Sequence, residues 1–384
     1  MRVGIVVHGG GGWLGGRNYI RNLLTAVYNL PGRQIEPVIL TTPTGHDQVS
    51  DLPPFQVIRS AAFNLDRTSE FARRALTAVF RRNVAVERVL REHKISVLSH
   101  SGHLGPRASI ATIGWIPDFQ SMHMPEFQTE RARADRERRL LRICSNCTKV
   151  IVSSESVRND LIKFAPRYSS RAEVLRFVAA PFAREPVTPF PELIEKYEID
   201  RPFFLLPNQF WAHKNHRTVI GALKVLKEKG RQITVLATGA TQDHRNPGHF
   251  NSTMEYAKEC GVLQDFRVLG LVPYADLAGL MKWTVALINP SLFEGWSTSV
   301  EEAKTAGKAI VLSDISVHRE QNPERGIFFA PMDAEQLADA LLLAQSRFDK
   351  AADLEFQERA FEQFPRRQQE FACEYQRIVQ SVST

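Results

Sequence analysis

The stretch "VALINPSLFEGWSTSVEEAKTAGKAIVLSD", residues 285–314, contains a complete strand, loop, helix and second strand. The apolar run at 285–291 predicts a strand that ends in a Pro-Ser turn, and residues 308–314 predict another strand. Residues 297–307 predict a helix that stops at Gly307, because glycine readily adopts the conformation that follows a helix C-terminus. Two strands joined through a helix indicate a parallel sheet.

The same alternation of apolar runs and helical spacing continues on both sides of this stretch. Further strands are predicted at 2–8, 36–42, 96–102, 108–118, 149–156, 201–209, 232–239 and 266–272. A proline-containing stretch, Ala179–Glu192, is typical of a linker. The fold class is therefore predicted as α/β with two doubly wound, Rossmann-like domains. We expect these at 1–180 and 181–360, with a C-terminal helix at 361–384 that packs back on the first domain.

Composition fits a two-domain globular protein. The 384 residues are 43% hydrophobic and 24% charged, and no apolar run reaches the ~20 residues that span a bilayer. The chain starts directly with a predicted strand, so we expect a cytoplasmic protein. Residues 1–180 contain 26 basic and 15 acidic residues, a net charge of +11, whereas the remainder carries −4 of the total +7. The two halves are expected to meet different partners.

The loop and helix inside 285–314 carry two acids, Glu294 and Glu302, with seven residues between them. Small hydroxyl residues lie at the start of the helix, and its free N–H groups and positive dipole end suit a diphosphate. Glu302 could then accept hydrogen bonds from ribose hydroxyls, and Glu294 could face the group attached to the phosphate. An ordinary capped helix with acids in its first turn has the same spacing, so the pattern alone leaves both readings open.

This stretch resembles the Glu-x7-Glu signature of retaining GT-B glycosyltransferases, specifically glycosyltransferase family four. The resemblance covers most of Asp265 to Gln321 and extends more weakly to "VSSESVRNDL" and "LLPNQFWAHKNHRTVIGAL". It implies a GT-B fold of two facing Rossmann-like domains with a cleft between them. In that family the N-terminal domain binds the acceptor and the C-terminal domain binds a nucleotide sugar.

The resemblance also implies roles for individual residues. Glu302 would hold the donor ribose, and Glu294 would contact the donor sugar and stabilise positive charge at its anomeric carbon. Lys214 would pair with the diphosphate, and the backbone at Leu271 and Val272 would enclose the base. The other residues predicted to bind the donor are Asn208, Gln209, Gly12, Gly15, Gly16, Arg17, Gly295, Trp296, Ser297, Thr298 and Ser299.

Two family features are missing. The family's Arg before the Lys is replaced by Asn208 and Gln209, which makes Arg17 a candidate for the second diphosphate cation. The family's His before Asp118 is replaced by Pro117. Asp118 itself matches, and would position the acceptor hydroxyl or act as its base. His123 either substitutes for the missing His or is a structural loop residue.

The predicted function is that of a retaining glycosyltransferase of class EC 2.4. It would move a sugar from a UDP- or GDP-linked donor to a hydroxyl of a glycan or lipid-linked saccharide, in cell-surface polysaccharide or lipopolysaccharide biosynthesis. The chain contains no Asp-x-Asp motif, so we expect no metal and no cofactor, with Lys214 and helix N–H groups offsetting the charge. The alternatives are a GT-B nucleotide-sugar epimerase and a non-catalytic nucleotide-binding relative.

The glycine-rich stretch His8–Tyr19 also contains the Gly-x-Gly-x-x-Gly spacing of a dinucleotide site. Such a site expects an acid about 20 residues later, at the end of the second strand, where this chain has threonines. We therefore interpret the match as incidental and residues 8–16 as a phosphate-facing loop, followed by a helix predicted at 18–30.

Two stretches, 67–94 and 129–143, are rich in arginine, and apolar residues give the first of them an amphipathic appearance. They are consistent with solvated helical faces, and equally with peripheral contact with an anionic membrane surface. No nucleic-acid motif accompanies them, so no nucleic-acid partner is expected.

Overall fold

The computed structural model describes residues 1–7, 14–45, 49–64, 77, 79–102, 104–180, 187–243 and 245–382. The chain forms two compact units. The first comprises Met1–Met122, Thr129–Phe177 and Arg366–Thr384, and the second comprises His123–Gln128 and Val178–Pro365.

Within the described residues, the first unit has a seven-stranded parallel sheet of order β3-β2-β1-β4-β5-β6-β7. Its strands are β1 (Arg2–Val6), β2 (Glu36–Thr41), β3 (Gln56–Arg59), β4 (Val97–Ser99), β5 (Ala111–Ile116), β6 (Lys149–Val152) and β7 (Ala172–Val174). The helices in this part of the chain are α1 (Leu14–Tyr28), α2 (Val84–Glu92), α3 (Gln120–His123), α4 (Glu130–Asn146) and α5 (Glu155–Phe164).

The second unit, over the same described ranges, has a six-stranded parallel sheet of order β10-β9-β8-β11-β12-β13. Its strands are β8 (Phe203–Pro207), β9 (Thr234–Thr238), β10 (Phe266–Gly270), β11 (Leu287–Asn289), β12 (Ile310–Ser313) and β13 (Gly326–Phe329). Its helices are α6 (Phe190–Tyr197), α7 (His216–Glu228), α8 (His249–Glu259), α9 (Tyr274–Trp283), α10 (Thr298–Thr305), α11 (Ser316–Gln321), α12 (Ala334–Ser346) and the start of α13 (Lys350–Gln380).

The core of the second unit explains why its central strands were predicted from apolar runs. Along β8, Phe204 and Leu206 belong to one buried cluster, and Phe203 and Leu205 belong to another. A strand that is covered on both faces reads as a continuous apolar run. The predicted strand–helix–strand unit at 285–314 is confirmed, and Gly307 follows α10 with a φ of 64°.

Three strands were missed by the sequence prediction. These are β3, β7 and β13, and all three lie at sheet edges. Each is only three or four residues long and partly exposed. An edge strand of this kind does not need the long apolar run that marks a central strand.

Strand order reverses once in each sheet, between β1 and β4 and between β8 and β11. At such a reversal the loops after the two strands diverge to opposite faces and leave a crevice at their carboxyl ends. In the second unit, this point lies beyond Pro207 on β8 and Asn289 on β11. It is where the predicted donor-binding residues are concentrated.

Helix α13 starts at Lys350, earlier than the helix predicted from residue 361, and continues through Pro365. Its first turns are fixed in the second unit by Asp353, which accepts hydrogen bonds from Lys308 at 2.5 Å and Arg325 at 2.6 Å. Its last turns belong to the first unit, where Tyr375 packs on His100 with ring centroids 5.7 Å apart. No helix in the described ranges combines the length and apolar character required to cross a membrane.

Replacing Asp353 by Ala should destabilise the second unit. The change leaves the buried ammonium of Lys308 and the guanidinium of Arg325 without their shared carboxylate, and an uncompensated buried charge costs about 3–5 kcal/mol. Urea unfolding of the full chain measures the effect. Glu358→Ala, which removes an exposed acid from the same helix, is the control and should change stability by less than about 0.5 kcal/mol. Equal unfolding midpoints for the two variants would contradict the role given to Asp353.

Candidate active site

The candidate site is formed by the loops that follow β8 and β11. The first loop runs from Asn208 to a short 3-10 helix at Ala212–Lys214, and the second runs from Pro290 to Ser297. The loop after β9 packs closely beneath the first, at Gly239. A Cβ on Gly239 would lie 2.6 Å from the carbonyl oxygen of Asn208, and its φ of 126° also favours glycine.

An ion pair joins the two loops. Nζ of Lys214 lies 2.6 Å from Oε1 of Glu294, and the side chains are only 14% and 10% exposed. Two further contacts hold the loops in register. The N–H of Leu292 donates to the carbonyl of His213 at 2.8 Å, and the amide of Asn215 donates to the carbonyl of Pro290 at 3.1 Å. The structure therefore brings the predicted Lys214 and Glu294 together.

The Glu294 carboxyl is ionised because of its neighbours. Burial by itself raises its pKa, but the charge of Lys214, with a smaller contribution from His213, more than offsets burial and lowers the pKa below its usual value. The site thus presents a buried carboxylate beside an ammonium group. A carboxylate so placed can stabilise positive charge, and the ammonium can stabilise negative charge.

A chain of hydroxyl groups supports Glu294 from behind. Oγ of Ser291 lies 2.7 Å from Oε1 of Glu294, and Oγ of Ser313 donates to the carbonyl of Ser291 at 2.5 Å. Nδ1 of the buried His318 lies 2.8 Å from the carbonyl of Ser313. These contacts limit the orientations available to the carboxylate.

Helix α10 begins at the site without a side-chain cap from Ser297. The Ser297 hydroxyl instead contacts the amide of Asn289 at 2.7 Å, and the Ser297 backbone N–H donates to Gln321 at 3.2 Å. The first-turn N–H groups of α10 therefore remain suited to an anion from outside the chain. The predicted residues Thr298 and Ser299 lie in this turn.

Two neighbouring acids on α10 have different surroundings. Glu301 is buried and contacts Lys304 at 3.2 Å and Gln321 at 3.1 Å. The Glu302 carboxyl has no hydrogen-bond or ion-pair partner among the described residues, and burial raises its pKa to about 8. An unpaired carboxyl in this position is consistent with the predicted contact to ribose hydroxyls.

The remaining predicted donor-binding residues of the second unit lie around the same sheet edge. Asn208 is buried, and its Nδ2 has no partner in the part of the chain that the structure describes. Gln209 follows it and is partly exposed. Leu271 and Val272 come directly after β10, and Leu271 is 74% exposed. Gly295 and Trp296 are buried between Glu294 and α10.

The predicted residues of the glycine-rich stretch belong to the first unit. Gly12 lies outside the described residues. Gly15, Gly16 and Arg17 lie in the first turns of α1, which corrects the expectation that the loop continues through Gly16 and the helix begins at Asn18. Arg17 is paired with Asp51 at 2.9 Å.

Asp118 and His123 have partners that the sequence did not reveal. Oδ1 of Asp118 lies 2.6 Å from Nη2 of Arg136 and accepts from the N–H of Gln120 at 2.9 Å. His123 groups with the second unit, where its ring lies 5.0 Å from that of Phe293. It therefore contacts the residue next to Glu294.

Sequence reasoning missed two polar residues near the ion pair. They are His213, which precedes Lys214, and Arg245, which follows β9. Burial lowers the pKa of His213 to about 3, and the positive charges of Lys214 and Arg245 lower it further. His213 could have been noticed from its place in "HKNH". Arg245 had no signal, since only the sheet brings its loop near residue 213.

Comparison with known proteins agrees with this geometry. Residues 190–360 match the family model described as "Glycosyl transferases group 1". No curated protein sequence matches the chain. The second unit is thus similar to a group 1 glycosyl transferase domain, while the assignment to family four stays a prediction.

Several solved structures are similar to this chain over nearly its whole length. A glycosyltransferase from Rickettsia africae has 15% identity and a TM-score of 0.65, covering 100% of this chain and 97% of that one. Anabaena Alr3699/HepE in complex with UDP and glucose has 13% identity, a TM-score of 0.69 and 100% coverage of both chains. WaaG, a glycosyltransferase involved in lipopolysaccharide biosynthesis, has 16% identity, a TM-score of 0.61 and coverage of 94% and 95%. These likenesses confirm the predicted GT-B fold.

Removing the charge of Lys214 should raise the pKa of Glu294. In Lys214→Met, burial acts on the carboxyl with little compensation, so Glu294 should take up its proton at a higher pH than in the parent protein. Carboxyl ¹³C shifts followed by NMR against pH measure this, with Glu294→Gln identifying the resonance. Lys224→Met, an exposed lysine on α7, serves as the control. An unchanged Glu294 titration in Lys214→Met would show that the ion pair does not control this carboxyl.

Proposed function

We propose that this protein is a retaining glycosyltransferase that uses a nucleoside-diphosphate sugar. The observation that carries the proposal is the buried Lys214–Glu294 pair, which lies where strand order reverses, next to the uncapped start of α10. Similarity to the group 1 family model over 190–360 supports it. The structure of HepE, which has a similar fold, was solved in complex with UDP and glucose, and this also supports the proposal.

In the proposed donor complex, the diphosphate lies against Lys214 and the first-turn N–H groups of α10. The ammonium of Lys214 has a full positive charge and the helix N–H groups have partial positive charges, and both stabilise the negative charge of the leaving group. Glu302 accepts hydrogen bonds from the ribose, and the exposed side of Leu271 lies near the base. Asn208, whose buried amide lacks a partner among the described residues, donates to a phosphate oxygen in place of the family's Arg.

The proposed transfer breaks the bond between the anomeric carbon and the phosphate oxygen. The acceptor oxygen bonds to that carbon on the same face, and the acceptor proton passes to the departing phosphate oxygen. The anomeric carbon becomes positively charged as the bond breaks, and the Glu294 carboxylate stabilises it. Lys214 then shares its charge between Glu294 and the nucleoside diphosphate, which offsets the negative charge on the leaving group.

The finer parts of the proposal concern metal, acceptor and place of action. Metal independence follows if Lys214 and the helix N–H groups supply the positive charge that a divalent cation would otherwise bring. A role in polysaccharide or lipopolysaccharide synthesis is suggested by the similarity to WaaG.

Peripheral contact with a membrane is also part of the proposal. It is based on the exposed side chains of Val79 and Phe80, which lie beside arginines, and on the exposed arginines of α4. Sedimentation with vesicles tests it.

Replacing Glu294 by Gln should slow the chemical step while leaving donor binding intact. Gln retains hydrogen bonds to Lys214 and Ser291 but not the charge that stabilises the anomeric carbon, and we expect a rate about 10²–10³-fold lower. Hydrolysis of a panel of UDP- and GDP-sugars, with water as acceptor, measures this without a known acceptor. EDTA should leave the parent rate unchanged, and Glu335→Gln, on the exposed side of α12, is the control. The proposal fails if no nucleotide sugar and no nucleoside diphosphate binds.

Replacing Glu302 by Ala should weaken donor binding by about tenfold to a hundredfold, the value of hydrogen bonds to a charged group. Calorimetric titration with the nucleotide sugar measures the affinity, with Glu335→Ala as the control. The pKa of Glu302 is raised to about 8 by burial. Ribose hydroxyls favour the ionised form, so parent affinity should rise as pH increases through about 8, and the variant should lose this dependence. Equal affinities in parent and variant would remove Glu302 from the donor site.

A further inference from the structure

A polar cavity of about 220 Å³ lies in the second unit, outside the donor-binding residues. Its lining includes Glu126, Phe127, His213, Asp243, Arg245 and Asn246. Glu126 and Phe127 come from the segment His123–Gln128, which groups with the second unit. The cavity is smaller than the roughly 300–1,000 Å³ of pockets for drug-sized ligands. Its size suits one small polar molecule or one residue of a larger ligand.

Two contacts place this cavity next to the Glu294 loop. On one side, the backbone carbonyl of His213 accepts a hydrogen bond from the N–H of Leu292 at 2.8 Å. On the other side, the segment that carries Glu126 also carries His123, whose ring lies 5.0 Å from that of Phe293. The two contacted residues directly precede Glu294. A molecule in the cavity would therefore lie beside the carboxylate at which transfer is proposed.

His213 indicates that the cavity accepts a hydrogen-bonding ligand. Its side chain is only 6% exposed, and its Nδ1 has no partner among the described residues. A buried polar atom without a partner is uncommon in a native structure, and a polar group on a bound ligand can supply the missing partner. A ligand hydroxyl can serve either tautomer of the ring, because a hydroxyl both donates and accepts.

The charges around the cavity favour a neutral ligand. Arg245 is held by Asp243, with Nε 3.1 Å from Oδ1, and its guanidinium lies 4.9 Å from the Trp211 ring. Burial, with Lys214 nearby, lowers the pKa of His213 to about 3, so this ring is neutral at physiological pH. The lining thus contains two acids, Glu126 and Asp243, and one guanidinium that is already paired. This excess of acid disfavours a phosphate or carboxylate ligand, whereas a polyhydroxylated neutral molecule finds donors, acceptors and the ring of Phe127.

We propose that this cavity binds a neutral sugar residue, and that this residue is the acceptor, or part of the acceptor, of the proposed transfer. The inference that the cavity binds a neutral sugar depends only on the residues that line it. Its role as the acceptor position rests on the proposed function. The hydroxyls of the sugar bind the carboxylate of Glu126, the amide of Asn246 and the unpaired nitrogen of His213, and its C–H face packs on Phe127.

Saturation-transfer NMR on the full chain tests the proposal. The probes are glucose, galactose and mannose as neutral sugars, and glucuronate and glucose 6-phosphate as anionic ones, each with and without UDP or GDP. We expect at least one neutral sugar to bind and the anionic sugars to bind more weakly. Glu126→Ala should weaken the neutral sugar about tenfold, the loss of a hydrogen bond to a charged group. Glu130→Ala removes an exposed acid, four residues further along the chain, that is not among the lining residues, and should leave binding unchanged.

Nucleoside diphosphate affinity, measured in the same samples, separates this proposal from the proposed function. Unchanged nucleotide affinity in Glu126→Ala, with weakened sugar binding, supports a distinct sugar site. Sugar binding that is absent from the parent, equal in parent and Glu126→Ala, or stronger for the anionic probes overturns the proposal. If neutral sugars bind through Glu126 but no nucleoside diphosphate binds, the sugar site is supported and the transferase function is contradicted.

Discussion

The buried ion pair between Lys214 and Glu294 is the interaction on which the arrangement of the second unit's site depends. Neither charge is stable in this position alone, because a buried charge needs a partner. The pair can form only if the loops after β8 and β11 meet, and the backbone carbonyl of His213 and the side-chain amide of Asn215 hold them together. Ion pairing also keeps Glu294 ionised despite its burial. The same ion pair therefore holds the two loops together and keeps Glu294 in the charged form that the proposed chemistry needs.

Several polar groups around that pair lack partners within the described chain. They are the carboxyl of Glu302, the amide of Asn208 and Nδ1 of His213. A polar group on a bound ligand can complete the hydrogen bonding of such groups. Asn208 and His213 lie on the loop after β8, and Glu302 lies on α10, which follows β11. Their concentration there is what unites the proposed donor site and the proposed sugar cavity.

Much of this was predictable from sequence, and the failures have physical reasons. Central strands such as β8 were predicted because they are buried on both faces, and the edge strands β3, β7 and β13 were missed because they are not. Glu294 and Lys214 were identified through a motif and a resemblance. The partners of Arg17 and Asp118 were not, since Asp51 and Arg136 come from separate elements of the chain. Ion pairs between distant segments leave no local pattern.

The sequence by itself determined the alternation of strands and helices, the stop of α10 at Gly307, and the residue types available to bind a diphosphate, because these depend on local periodicity and turn chemistry. Only the tertiary structure decided which of those residues are paired and which are open. Glu301 and Glu302 show the difference. Consecutive residues on a helix point about 100° apart, so Glu301 meets Lys304 and Gln321, whereas Glu302 meets no described partner. Which face of α10 is covered depends on α11, and therefore on the fold.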